Sequence, residues 1–261
     1  MTDSPRSPIK DKPLRAPGQS LEEQRRTLLE DKVMAPLTLA LVVTVITGLE
    51  WWRYFSNQKP NPLVYSAFAI ALIAFAVWRI YRLRPILRNL HQGIEGEKAV
   101  GQFLERLRER GYQVFHDVVG DNFNVDHVLI GPGGVFTIET KTWSKSARGE
   151  ARIGFDGEQL TRNGKLPERA PIVQARAQST WLKGLLNESS GRKVEVHPVV
   201  LFPGWFIEQS EGSTRDMWVL EPKALPAFLD RRGAVLGLEE VKLLSFHLSR
   251  FIRSSERERD G

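Results

Sequence analysis

Asp126, Glu139 and Lys141 are the residues of this 261-residue chain whose types and spacing could carry chemistry. Asp126 lies in the run NVDHVLI and the other two in VFTIETK, with Gly131-Pro132-Gly133-Gly134 between them. Both runs are rich in β-branched residues, and the Gly-Pro-Gly-Gly stretch reads as a hairpin turn. An even-length loop centred between Pro132 and Gly133 sets Ile130 opposite Val135, Val128 opposite Thr137 and Asp126 opposite Glu139. Directly opposed residues have Cβ atoms roughly 4.5–5.5 Å apart, and like charges there are destabilising. Lys141, two residues past Glu139, points to the same face. Carboxylates held this close need a shared proton or a shared cation. Oxygen donors and the absence of cysteine select Mg²⁺ or Mn²⁺ over zinc. A lysine beside such a cation suits stabilisation of charge developing on a phosphate, or positioning of an attacking water. The implied chemistry is metal-assisted phosphodiester hydrolysis. A surface cluster in which Lys141 simply pairs with Asp126 or Glu139 stays open, because a one-residue bulge would undo the register.

The elements that must position these residues belong to an α/β pattern that begins after Pro85. The spacing predicts a helix over 93–110 stopped by Gly111, strands near 113–119, 124–130 and 134–141, and a less regular β stretch over 150–162. A helix over 171–187, a strand over 194–201, a short strand over 217–220, a short helix from 222 and an amphipathic helix over 238–253 complete the pattern. The first helix carries an apolar stripe of Ile94, Val100, Phe103, Leu104 and Leu107, and Glu97 sits on that stripe. An unpaired buried carboxylate costs several kcal/mol, so Glu97 is either part of a site or part of a frayed first turn. In the later helix Gln174, Gln178, Trp181, Leu182 and Leu185 share one face.

The net charge of +6 first suggests an acidic partner. Located along the chain, it has another meaning. Residues 1–33 read as a polar tail, disordered over the first twenty residues, with Ser20 and Glu23 opening a short juxtamembrane helix. Residues 33–49 and 63–78 carry no charge, close to the ~17–25 residues of a membrane span. Trp51, Trp52, Tyr54, Trp78 and Tyr81 supply interfacial belts, and Arg79 and Arg82 can snorkel. The expected organisation is a two-span hairpin over 34–84 in the lipid bilayer, a catalytic domain over 85–215, and a C-terminal helical extension over 216–261 packing on it. Basic residues flank the outer ends of both spans, while the connecting loop holds only Arg53 and Lys59. That asymmetry predicts both termini in the cytoplasm, with a bacterial inner membrane as the setting. The hairpin holds +4 of the charge and the tail +1, leaving +1 for residues 85–261. Most of the excess charge is topology signal and not a nucleic-acid footprint.

Taken together, Gly93-Ile-Glu-Gly-Glu97, the eighteen positions from Asn124 to Lys141 continuing to Trp143, and Gln174-Ala175 resemble the nuclease-related domain, NERD, of the PD-(D/E)xK nuclease superfamily. The resemblance covers roughly residues 90–200. It implies a restriction-endonuclease-like central mixed sheet flanked by helices. It also implies that Asp126 and Glu139 ligate a divalent metal, that Lys141 assists the water or the phosphate, and that Glu97 and Gln174 face the same site. Nucleic acid, DNA more than RNA, is the partner this implies. The family usually has a glycine soon after the aromatic, whereas Ser144-Lys-Ser-Ala-Arg-Gly149 intervenes here.

The five histidines share no metal-ligand spacing, and His127 alternates to the face opposite Asp126. Lys145, Arg148 and Arg152 with Trp143 could line a nucleic-acid groove, or belong to a solvated loop. Two other functions remain beside the nuclease: a membrane-tethered module that binds or senses nucleic acid without cleaving it, and a scaffold that recruits a protein.

Overall fold

A computed structural model of the protein describes residues 14–56, 58, 61–120, 123–145, 151–210, 212, 213 and 215–260. The chain divides into two compact units, Ser20–Gln92 and Gly93–Gly261, and the latter includes the N-terminal stretch up to Gln19.

The first unit is helical. Helix α1 (Gln19–Leu29) passes through a wider π turn (Glu30–Met34) into α2 (Ala35–Phe55), and α3 begins at Pro62. Among the described residues two helices are long and apolar enough to cross a membrane. Their large apolar side chains point outward, with Leu41 64% and Ile70 68% exposed, while the buried positions Ala40, Ala69 and Ala76 are small. Glu50 pairs with Arg53 at 2.7 Å and accepts the Asn61 N–H, so it is neutralised locally. Helix α3 runs from Pro62 to Glu105 and ends in a 3₁₀ turn, Arg106–Arg110. The expected break after Pro85 is absent. A proline removes one N–H and crowds one carbonyl, and here the helix carries that local cost within its length. Gly111 ends it in the left-handed conformation at φ 82°, where a Cβ would be strained.

In the second unit the described residues form a mixed five-stranded sheet of order β1-β2-β3-β7-β9. Its strands are β1 (Gln113–Val119), β2 (Asn124–Gly131), β3 (Gly134–Thr140), β7 (Val196–Leu201) and β9 (Trp218–Leu220). Strands β1 to β3 are antiparallel, and β7 and β9 add in parallel. The hairpin turns on Pro132-Gly133, with Gly131 paired to Gly134 and Ile130 to Val135, as the hydrophobic pattern demands. Every residue of β3 is buried, because both faces are covered. One face packs on Val100 and Leu104 of α3 and on Leu107 of the 3₁₀ turn through Leu129, Phe136 and Ile138. The other packs on α4 (Ala170–Ser190) and α6 (Leu238–Asp260) through Val128, Ile130, Leu182, Leu244 and Leu248. The irregular β stretch proves to be a second sheet, order β6-β5-β4-β8, from β4 (Arg152–Phe155), β5 (Leu160–Arg162), β6 (Lys165–Glu168) and β8 (Phe206–Gln209). It shares an apolar layer with Ile172, Phe202 and Trp205. A short helix α5 (Leu225–Arg232) closes the α3 side.

Candidate active site

The antiparallel ladder between β2 and β3 ends at His127 opposite Ile138, so Asp126 and Glu139 are the next positions beyond it. In place of a backbone bridge there, the Thr140 N–H donates to Asp126 Oδ2 at 2.7 Å. Glu139, 3% exposed, has both oxygens engaged. Lys141 Nζ donates to Oε1 at 2.6 Å, and Gln178 Nε2 to Oε2 at 2.6 Å. Gln178 also reaches the Asn124 carbonyl at 3.0 Å, tying α4 to the start of β2. Lys141 in turn donates to Gln174 Oε1 at 3.1 Å. Gln174 and Gln178 are one helical turn apart, which is why both face the sheet end.

Glu97 enters from α3. Gly96 allows this approach, because a Cβ at that position would lie 2.2 Å from the Thr142 side chain. Glu97 is 5% exposed, and among the described residues its Oε2 has no hydrogen-bond partner. Burial pushes its carboxyl from 4.5 up to about 8, with the negative charges of Asp117 and Glu139 adding to the effect. Lys141 and the Gly18 backbone N–H oppose the rise. Burial, then Glu139 and Glu97, drive Asp126 well above the ordinary carboxylate range. The five expected residues, Glu97, Asp126, Glu139, Lys141 and Gln174, are thus linked by hydrogen bonds or by mutual charge at one end of the sheet.

The sequence pattern placed Gln178 on the Gln174 face without assigning it to the site, and it missed Asp117 and the N-terminal residues. Asp117 lies on β1, where the ladder steps from His116↔His127 to Val118↔Val125 and skips the position facing Asp126. Its backbone is left-handed, φ 48°, a conformation Asp tolerates better than most residues. Fully buried, Asp117 pairs with Arg15 Nε at 2.7 Å and accepts from Asn124 Nδ2 at 2.9 Å. The spacing of Gln178 from Gln174 was a usable signal; nothing local marked Asp117.

Residues 92–203 match the family model of NERD, the nuclease-related domain. The NERD span holds all five expected site residues and supports a nuclease-like function that requires a divalent metal. A relative in Bacillus anthracis, itself named only as an uncharacterized protein, is 39% identical over 57 residues, covering 20% of this chain and 27% of its own. This chain therefore spans about a quarter of that protein. A crystal structure of protein VC1899 from Vibrio cholerae aligns with 92% of this chain and 58% of its own at 13% identity, with a TM-score of 0.21. At that score it carries no argument.

Two features bear on the metal. Among the described residues no three His, Cys, Asp or Glu side chains are gathered into a ready ligand cage. Mg²⁺, however, is held through one or two carboxylates and keeps several waters. Asp126, Glu139 and the unsatisfied Glu97 oxygen fit that donor chemistry. The aromatic and basic groups after β3 are engaged within the protein. Trp143 packs on Phe202 at 4.8 Å between ring centroids, beneath the Arg162 guanidinium, and Lys145 Nζ donates to the Gly204 carbonyl. Arg152 pairs with Glu208, and Arg148 lies outside the described residues. His127 lies buried against His116, with Nδ1 atoms 2.9 Å apart.

Proposed function

We propose that this chain is a membrane-anchored nuclease whose NERD domain hydrolyses phosphodiester bonds of nucleic acid, DNA more than RNA, on the cytoplasmic side. The observation that carries the reading is Glu139 clamped between Lys141 and Gln178, beside Asp126 and the buried Glu97. Asp126 and Glu139 would hold Mg²⁺ or Mn²⁺, with Glu97 adjoining. The bound cation supplies Lewis-acid polarisation of the phosphate and an acidified water. Lys141 lies beside the same carboxylate, so its ammonium is placed to offset charge growing on the phosphate oxygens. Gln174 orients Lys141, and Gln178 fixes Glu139. The outward apolar faces of α2 and α3, with small residues inside, support anchoring in lipid over burial in a soluble core. A reporter fused at residue 58 is expected on the side of the membrane opposite the cytoplasm.

The full chain in detergent is expected to cleave DNA or RNA with Mg²⁺ or Mn²⁺. Asp126→Ala and Lys141→Ala are each expected to lower the rate by about a hundredfold or more. Cleavage that survives both substitutions sinks the assignment. Binding without cleavage moves the chain to the sensing reading, which the engaged Lys141 and the lack of a ready three-ligand cage among the described residues favour.

A further inference from the structure

The stretch Leu14–Gln19 precedes the first apolar helix and lies outside the NERD match, yet it belongs to the same compact unit as the acid cluster. The chain pattern reads it as polar tail; the structure makes it part of the wall. Ala16-Pro17-Gly18-Gln19 is a tight turn. The Gln19 N–H donates to the Ala16 carbonyl at 3.2 Å, and Gly18 has φ +73°. Proline followed by a left-handed glycine is the signature of a type II turn. The turn is tied a second time, the Ala16 N–H donating to Gln19 Oε1 at 3.1 Å.

Three contacts seat this turn. Arg15, 8% exposed, forms the buried ion pair with Asp117. Pro17 fills a notch over Gly101, where an added Cβ would lie 2.5 Å from its ring. Gly18 abuts the α3 backbone at Ile94, and a Cβ built on it would lie 3.7 Å from the Glu97 Cβ, so its backbone lies against Glu97. A surface ion pair contributes little. A buried one whose removal strands its partner is worth several times more.

We propose that Leu14–Gln19 is a latch that completes the candidate site, with Arg15 and Gly18 acting as positioning residues for Glu97. Arg15 anchors the latch on Asp117, and the Gly18 backbone lies against Glu97, whose Oε2 is buried without a hydrogen-bond partner among the described residues. Because Gln19 opens α1, the latch is continuous with the helices read as the membrane anchor. Seating of the N-terminal segment and order at the site are therefore one event. The inference rests on the cation-site reading for its functional consequence, and on geometry alone for the docking.

The test uses the full chain in lipid nanodiscs, with Arg15→Ala, Arg15→Lys and Gly101→Ala. The last variant is favourable for a helix but collides with Pro17, so it evicts the latch without touching Arg15 or Asp117. Three quantities are read: amide exchange at Gly18, carbodiimide labelling of Glu97 by mass spectrometry, and Mn²⁺ affinity by electron paramagnetic resonance. Arg15→Ala and Gly101→Ala should each raise Gly18 exchange and Glu97 labelling severalfold. Each should also weaken Mn²⁺ binding by roughly 10–100-fold, the range for groups that orient ligands. Arg15→Lys should stay close to the parent. Exchange that rises while labelling and affinity remain within about twofold overturns the positioning role. Exchange unchanged in both variants overturns the anchoring. A parent chain that binds no Mn²⁺ defeats the cation reading, and Glu97 labelling then decides the latch by itself.

Discussion

The two compact units are inverted with respect to each other. In Ser20–Gln92 the large apolar side chains are outside and alanines inside; in the NERD-containing unit four acids, Glu97, Asp117, Asp126 and Glu139, are inside. Each arrangement is costly in plain water. Exposed leucines gain nothing from water, and buried carboxylates lose most of their hydration. The difference identifies what each unit lacks. The first presents an apolar surface that the proposed bilayer would cover. The second holds one acid matched by Arg15, one by Lys141 and Gln178, and two driven upward in pKa. It calls for protons or a cation. Both units are therefore incomplete by themselves, in opposite senses.

The largest expected effect breaks the comparison on the acid side. Glu97 is raised from 4.5 to about 8, chiefly by burial. The folded state thus keeps a proton that the unfolded chain releases. Its stabilising contribution is full below about pH 4.5 and is lost as pH rises toward 8 and beyond. Asp126, shifted in the same direction, adds the same sign. The loss for Glu97 is on the order of 4 kcal/mol. Thermal unfolding of the full chain in detergent should show stability falling from pH 5 to pH 9. The slope should be shallower for Glu97→Gln, and shallower for the parent at saturating Mg²⁺, which replaces the proton as countercharge. Equal slopes in all three would mean that the acids are hydrated and that no cation site exists.

On the apolar side the probe is Leu41→Arg. An arginine near the centre of a span costs ~2.5–3.5 kcal/mol in insertion, so most of the chain should leave the membrane fraction on fractionation. If α2 instead faced water, exposed Leu41 would accept arginine with no loss. The variant separates the two cases without reference to catalysis.

How far the sequence foretold these features depends on the range of the interactions that create them. The hairpin of β2 and β3 and its acids were legible, because alternation and one Gly-Pro-Gly-Gly turn determine register locally. The mixed sheet was legible in class only. Its parallel addition of β7 and β9 and the separate β4-β5-β6-β8 sheet depend on long-range packing that periodicity does not encode. The helix expected over 93–110 is the end of a longer one, since α3 runs unbroken from Pro62 through Pro85. The N-terminal turn was in plain view as Ala16-Pro17-Gly18-Gln19. Low hydrophobicity hid it, for what seats it is one buried ion pair with a residue 102 positions away. Asp117 escaped for the same reason.

The smallest effect separates two glutamines that the helical period treats alike. Gln178 is 1% exposed and divides its amide between Glu139 and the Asn124 carbonyl, whereas Gln174 is exposed and accepts from the Lys141 ammonium. Removing Gln178 strands a buried carboxylate oxygen and a half-buried carbonyl. Gln178→Ala should therefore destabilise the fold by about 1–3 kcal/mol with a matching loss of cation affinity. Gln174→Ala removes a hydrogen bond that water can replace, so stability should change by less than about 1 kcal/mol. If Gln174 orients Lys141, its loss appears in kcat and spares cation binding. Equal stability losses from the two would show that the α4 face is a packing surface. A loss of kcat confined to Gln174→Ala would separate the group that positions the lysine from the group that holds the metal-side carboxylate.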